Sequence, residues 1–139
     1  MSGANHTCAL IGGSGSDQGK VKCWGYNNFG QLGTGNNTNS NVPVTVEAGL
    51  SGVTAISAKG DFTCALLING EVKCWGKNTS GQLGDGTTNS SSLPVLVGNG
   101  LVDVIQISAG TEHACALIGG AGVENGKVKC WGKNNSGQL

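Results

Sequence analysis

The segment Cys64 to Gly76 is echoed from Cys8 to Gly25 and again from Cys115 to Gly132, and each copy runs on into Gly-Gln-Leu, at Gly30 to Leu32, Gly81 to Leu83 and Gly137 to Leu139. A chain written this way is a tandem array. Each unit buries its apolar surface against near-copies of itself, and a special site has to show as a departure from the repeat. Trp24, Trp75 and Trp131 mark the period, 51 residues and then 56. The difference is a longer loop between the two cysteines of the outer copies, which carry Gly12-Gly13-Ser14-Gly15 and Gly119-Gly120-Ala121-Gly122 where the middle copy has a short turn. Between His6–Leu32 and His113–Leu139, 20 of 27 positions are identical, which reads as recent duplication with a super-period of 107 residues.

Composition narrows the kind of unit. With 26 glycines, 12% charged residues, no arginine and a formal net charge of zero, the chain describes short strands and tight turns without an electrostatic footprint. Nucleic acid is excluded as a strong partner, because phosphate neutralisation needs clustered cations. The lysines recur at equivalent positions (Lys22, Lys73, Lys129; Lys77, Lys133), as solvated rims do. No apolar run is long enough to span a bilayer, and there is no basic-apolar-small leader.

Four strands fit each period. In the middle unit Pro43–Val46 and Val53–Ala58 are rich in β-branched residues, Phe62–Leu67 alternates loosely, and Glu71–Trp75 closes the set. Turn formers separate them, and no segment has a 3.6-residue apolar period, so no helix is expected. The expected fold class is all-β: β-propeller blades of four-stranded antiparallel sheets, in a partial propeller of about two and a half repeats. Residues 1–139 form one array, with repeat hairpins at 6–33, 62–84 and 113–139 and linking strands at 42–58 and 93–109.

The cysteines test the register. If Gly70 takes the left-handed position of the loop Ile68-Asn69-Gly70, Cys64 faces Cys74 and Leu66 faces Val72. The same rule sets Cys8 opposite Cys23 and Cys115 opposite Cys130. Six cysteines allow about 15 connectivities, and only within-hairpin pairing repeats in all three units; each crosslink is expected to contribute roughly 2 to 3 kcal/mol. Zinc fits poorly, since its ligand pairs sit about two to four residues apart, and no metal or other cofactor is expected. Disulfides in turn point to an oxidising compartment: extracellular, cell-surface or periplasmic. Five Asn-x-Ser/Thr sequons, at Asn5, Asn36, Asn78, Asn89 and Asn134, are glycan acceptors in a suitable host, although Asn-rich turns also generate them by chance.

Both faces of such a hairpin carry apolar groups: Cys64, Leu66, Val72 and Cys74 on one, Ala65, Leu67 and Trp75 on the other. Each sheet therefore needs cover on both sides. Trp24, Trp75 and Trp131, with Leu32, Leu83 and Leu139, are expected to pack between blades.

The pattern Cys-Ala-Leu, Gly-x-Val-x-Cys-Trp-Gly, x-Asn, Gly81-Gln82-Leu83-Gly84-Asp85-Gly86, then Pro94-Val95 and Ile107-Ser108-Ala109-Gly110, resembles the repeat of the regulator of chromosome condensation family over nearly the whole chain. The resemblance implies a seven-bladed propeller in which the sequence repeat runs out of phase with the structural blade. The paired cysteines depart from the nuclear pattern and resemble secreted or surface-exposed bacterial versions. Founding members exchange nucleotide on a Ran-type GTPase and bind chromatin, through a wedge hairpin and basic extensions that have no counterpart here. A related bacterial propeller inhibits β-lactamases through loops on one ring face.

No catalytic residues are assigned. His6 and His113 share a repeat position that Phe62 fills in the middle copy, which suits packing better than catalysis, and no nucleophile recurs beside them. Asp85, between two glycines, suggests a calcium loop, yet Thr34 is its equivalent and acids are sparse around it. A closed seven-bladed ring at this repeat length needs roughly 350 residues, so the array is expected to be completed by a longer chain or by oligomerisation. Two functional classes follow. The first is a non-enzymatic scaffold that binds a protein partner or copies of itself through the long loops, with Gly12, Gly13, Ser14, Asp17, Gly119, Gly120, Glu124 and Asn125 as candidate contacts. The second is a lectin-like propeller holding glycans between blades with recurrent Asn, Asp and Trp side chains. Nucleotide exchange ranks behind both.

Overall fold

In the computed structural model the described residues are 1–16, 18–47, 50–98 and 101–139. Among them there is no helix, and the strands are β1 His6–Leu10, β2 Val21–Gly25, β3 Ser40–Thr45, β4 Val53–Lys59, β5 Phe62–Leu67, β6 Val72–Gly76, β7 Ser91–Leu96, β8 Val104–Ala109, β9 His113–Ile118 and β10 Val128–Gly132. Among the described residues no helix is long and apolar enough to cross a membrane. Three antiparallel sheets form, in the orders β1-β2-β3, β4-β5-β6-β7 and β8-β9-β10.

The strand carrying Pro43 is not the first strand of the middle blade, as the sequence pattern suggested. β3 turns back after Gly30–Leu32 and pairs with the free edge of β2, Lys22 opposite Thr45 and Cys23 opposite Val44. The nearest open edge wins over the sequence period. β7, with Pro94, does the same on β6. Both prolines thereby sit on outermost strands, where a missing N–H costs no ladder bond. In the first sheet the innermost position is taken by the chain start: Met1 and Cys8 exchange backbone hydrogen bonds of 2.8 Å, and Ser2 bridges Thr7.

The hairpin registers put Cys8 opposite Cys23, Cys64 opposite Cys74 and Cys115 opposite Cys130, with Cα atoms 4.0–4.1 Å apart. That separation is characteristic of a non-hydrogen-bonded antiparallel pair. All three pairs are disulfide-bonded and no cysteine is free. Each of the three hairpin loops ends on a left-handed glycine, Gly19, Gly70 and Gly126, with φ of 75°, 79° and 78°. Each closes the same stem: Gly19 N donates to the Ile11 carbonyl, Gly70 N to Leu67 and Gly126 N to Ile118. The long loops are thus the short loop with residues inserted ahead of an unchanged glycine.

Packing follows from the two-faced hairpin. β5 is buried along its whole length. One face of the second sheet (Phe62, Cys64, Leu66, Val72, Cys74) packs with Leu83 on Val104, Ala114, Ala116 and Ile118 of the third. The other face (Ile56, Ala65, Leu67, Trp75) packs on Cys8, Val21, Cys23 and Leu32 of the first.

Candidate functional site: the blade seams and the loop face

The first seam is stitched by Gln31, which is fully buried. Its carbonyl accepts the Trp75 Nε1–H at 2.9 Å and the Thr63 hydroxyl at 3.4 Å. Its side-chain oxygen accepts the Phe29 N–H at 3.0 Å, and its amide reaches Asp61 at 3.4 Å. His6 Nε2 lies 2.7 Å from Thr63 Oγ1, and Nδ1 is buried without a partner. Burial brings the His6 pKa down to about 4, against an opposing pull from Asp61. His6 is therefore a neutral packing residue at neutral pH, in the position Phe62 fills one blade on.

The second seam keeps the indole bond, Trp131 Nε1 to the Gln82 carbonyl at 3.0 Å, but Ala114 replaces Thr63. Glu112 ties the rim instead, 2.6 Å from Lys133 and 3.7 Å from Lys77 of the preceding blade. The Lys133 hydrogen bond, against an opposing burial effect and with the charges of Lys133 and Lys77, holds the Glu112 carboxyl below its usual range. Lys77 Nζ also lies 5.4 Å from the Phe29 ring centre. Both indoles lie flush on a glycine. A Cβ at Gly33 would stand 2.9 Å from Trp75 Nε1, and one at Gly84 2.7 Å from Trp131 Cδ1.

The long segments after β2 and β6 are organised by an asparagine whose role was not read from the sequence. Asn78, fully buried, donates to the carbonyls of Thr87 (3.1 Å) and Asn89 (3.0 Å) and accepts the Leu83 N–H at 2.9 Å. Asn27 does the same for Asn36, Thr38 and Leu32. Its recurrence at the same place ahead of each Gly-Gln-Leu motif was the available signal. Asn78 is consequently a closed position rather than a glycan acceptor in the folded chain. Asp85 receives the Thr87 N–H and hydroxyl, both at 2.9 Å, plus the Asn78 amide. Slight burial would raise its pKa, and these hydrogen bonds together lower it.

Of the six packing positions, Leu32, Leu83 and Trp75 have no exposed surface, and Trp24 and Trp131 are half-buried. Leu139 differs: it is 45% exposed. Its backbone makes the local turn bond to Asn134, but the next tryptophan and sheet that cover Leu32 and Leu83 have no counterpart among these residues. Of the recurrent Asn and Trp side chains, Asn27, Asn78 and Trp75 are buried and hydrogen-bonded internally. Among the described residues no group of three or more His, Cys, Asp or Glu side chains converges.

The loop face is the ring side carrying the β1–β2, β5–β6 and β9–β10 turns. Gly12, Gly13 and Gly122 have open space around them, Ser14 and Gly120 are exposed, and Gly119 lies against Ile105. Asp17 lies outside the described residues. Glu124 is bound by Lys127 at 2.7 Å and Lys129 at 3.1 Å, and Asn125 N donates to Gly122. Apolar side chains stand out here: Ile68 is 81% exposed and Val123 91%.

Comparison with known proteins agrees with this architecture. The profile of the Regulator of chromosome condensation (RCC1) repeat matches residues 18–66 and 69–117. The ultraviolet-B receptor UVR8 of Arabidopsis thaliana is 36% identical over 99% of this chain, which spans 30% of that protein. Human WBSCR16 superposes with a TM-score of 0.80 at 26% identity, covering 94% of this chain and 31% of that one. Prp20p of Saccharomyces cerevisiae, described with its binding to Gsp1p and histones, superposes at 0.76 and 23% identity, covering 94% and 32%. The chain thus spans about a third of the length of these proteins. On its repeats and its blade geometry, it belongs to the regulator of chromosome condensation repeat family.

Proposed function

We propose that this chain is a non-enzymatic, protein-binding segment of a propeller that works outside the reducing cytosol. The observation that carries the binding role is the loop face. Two glycine-rich loops rise on identical stems from alternate blades, with open space around Gly12, Gly13 and Gly122 and with exposed Ile68 between them. A rigid scaffold that presents variable loops on one face is suited to binding proteins. The three disulfides, with no free thiol, support an exported location: extracellular, cell-surface or periplasmic. Prp20p offers a precedent for protein partners on the same fold.

The test is loop exchange. Replacing 12–18 and 119–125 by the Ile-Asn of the middle hairpin leaves each stem glycine in place and is expected to abolish capture of proteins from the source organism's extracellular fraction, with an unchanged melting temperature. Capture of the same proteins by the exchanged chain would overturn the reading. A second reading, self-assembly, is favoured by the uncovered face of the third sheet, where Val128 is 63% exposed although its equivalent Val72 is 1% exposed.

A further inference from the structure

Asp103 departs from the repeat. With φ of 55° it is the one non-glycine residue with positive φ among the described residues, and the equivalent position ahead of β4 is Gly52, φ 67°. Glycine suits this backbone best and aspartate is among the few other residues that adopt it, so the change adds a carboxylate to the repeat position without breaking the turn. The residue is held firmly: its carbonyl accepts the Gly119 N–H at 2.8 Å, and a Cβ at Gly70 would stand 3.1 Å from its Cα. Its side chain lies along Gly120, where a Cβ would be 3.6 Å from Oδ2. Asp61, Asp85, Glu112 and Glu124 have side-chain partners, whereas the Asp103 carboxylate, like those of Glu47 and Glu71, is bonded by no described residue.

This carboxylate borders a groove of about 250 Å³ between the second and third blades, lined by Ile68, Asn69, Gly70, Ile105 and Gly120. Ile68 and Ile105 are 81% and 60% exposed. An unpaired negative charge between apolar walls is complementary to a side chain with an apolar stem and a cationic head. We propose that this groove docks a lysine or arginine, flanked by apolar residues, on the partner protein. The proposal rests on the protein-binding reading above and names the chemistry recognised there.

The test selects a random linear-peptide phage library on the oxidised chain and compares the enriched pool on Asp103→Gly. That variant restores the repeat residue and should melt no lower than the parent. The expected pool carries Lys or Arg beside Leu, Ile, Val or Phe and binds the variant about five-fold more weakly, with the same loss for Asp103→Asn and retention for Asp103→Glu. No enrichment, a pool without basic residues, or equal binding to Asp103→Gly overturns the proposal. A pool indifferent to Asp103→Gly but lost on loop exchange overturns this groove alone. One indifferent to both changes overturns the protein-binding reading as well.

Discussion

At the scale of single residues, the seams depend on a few side chains with no surface of their own. Trp75→Phe removes the bond to the Gln31 carbonyl and part of a buried ring, and is expected to cost about 2 to 3 kcal/mol. The same change at half-buried Trp24 is expected to stay within about 0.5 kcal/mol; urea denaturation of the two variants compares them. His6 makes the first seam sensitive to acid. Its folded pKa, about 4, lies below the unfolded value of 6.5, so the folded state takes up its proton last. Its contribution is complete above pH 6.5 and is lost as the pH falls towards 4, about 3 kcal/mol in all. His6→Phe, which copies Phe62 of the next blade, should remove that slope. The check is the difference in melting temperature between the two proteins from pH 7 to 5, above the range where most carboxylates titrate.

At the scale of elements, each hairpin is stapled and each long connection is held by one asparagine. Replacing Cys64 and Cys74 together by serine opens the smallest loop and is expected to lower stability by about 2 to 3 kcal/mol, read by denaturation beside the oxidised parent. Asn78→Ala strips partners from the carbonyls of Thr87 and Asn89 and from the Leu83 N–H, and is expected to cost about 3 kcal/mol. Asn134→Ala, at an exposed copy of the position, should change the same measurement by less than about 0.5 kcal/mol. The contrast separates a residue type favoured in turns from one that holds a turn against a packed neighbour.

At the scale of the whole molecule, among the described residues only the second sheet is covered on both faces, and it alone has four strands. The third sheet turns Val128 and its disulfide outward, on the face that the second sheet buries under its neighbour. In solution the 139-residue chain is therefore expected to associate, with a light-scattering mass that rises above 13.9 kDa with concentration and returns to it in Val128→Asp. A mass of 13.9 kDa at all concentrations would show that this face is tolerated in water and would remove the self-assembly reading.

What the sequence determined by itself is local and periodic. Cys64 had to face Cys74 once Gly70 was given the left-handed turn, the same arithmetic carried to the other hairpins, and the two-faced apolar pattern demanded neighbours on both sides. Strand pairing at short range follows from turn geometry, and turn geometry is written in adjacent residues. What only the tertiary structure decided concerns groups that are distant along the chain. β3 left the unit in which it was read because a free edge of β2 lay nearer. Asn78 changed from a sequon to a buried clamp, Leu139 lacked its cover, and Asp103 met Gly70 and Gly120 across a seam. None of these contacts lies within the reach of a local pattern: each exists because two blades come to rest against each other, and burial on that surface decides which polar groups are satisfied inside and which are left to meet a partner.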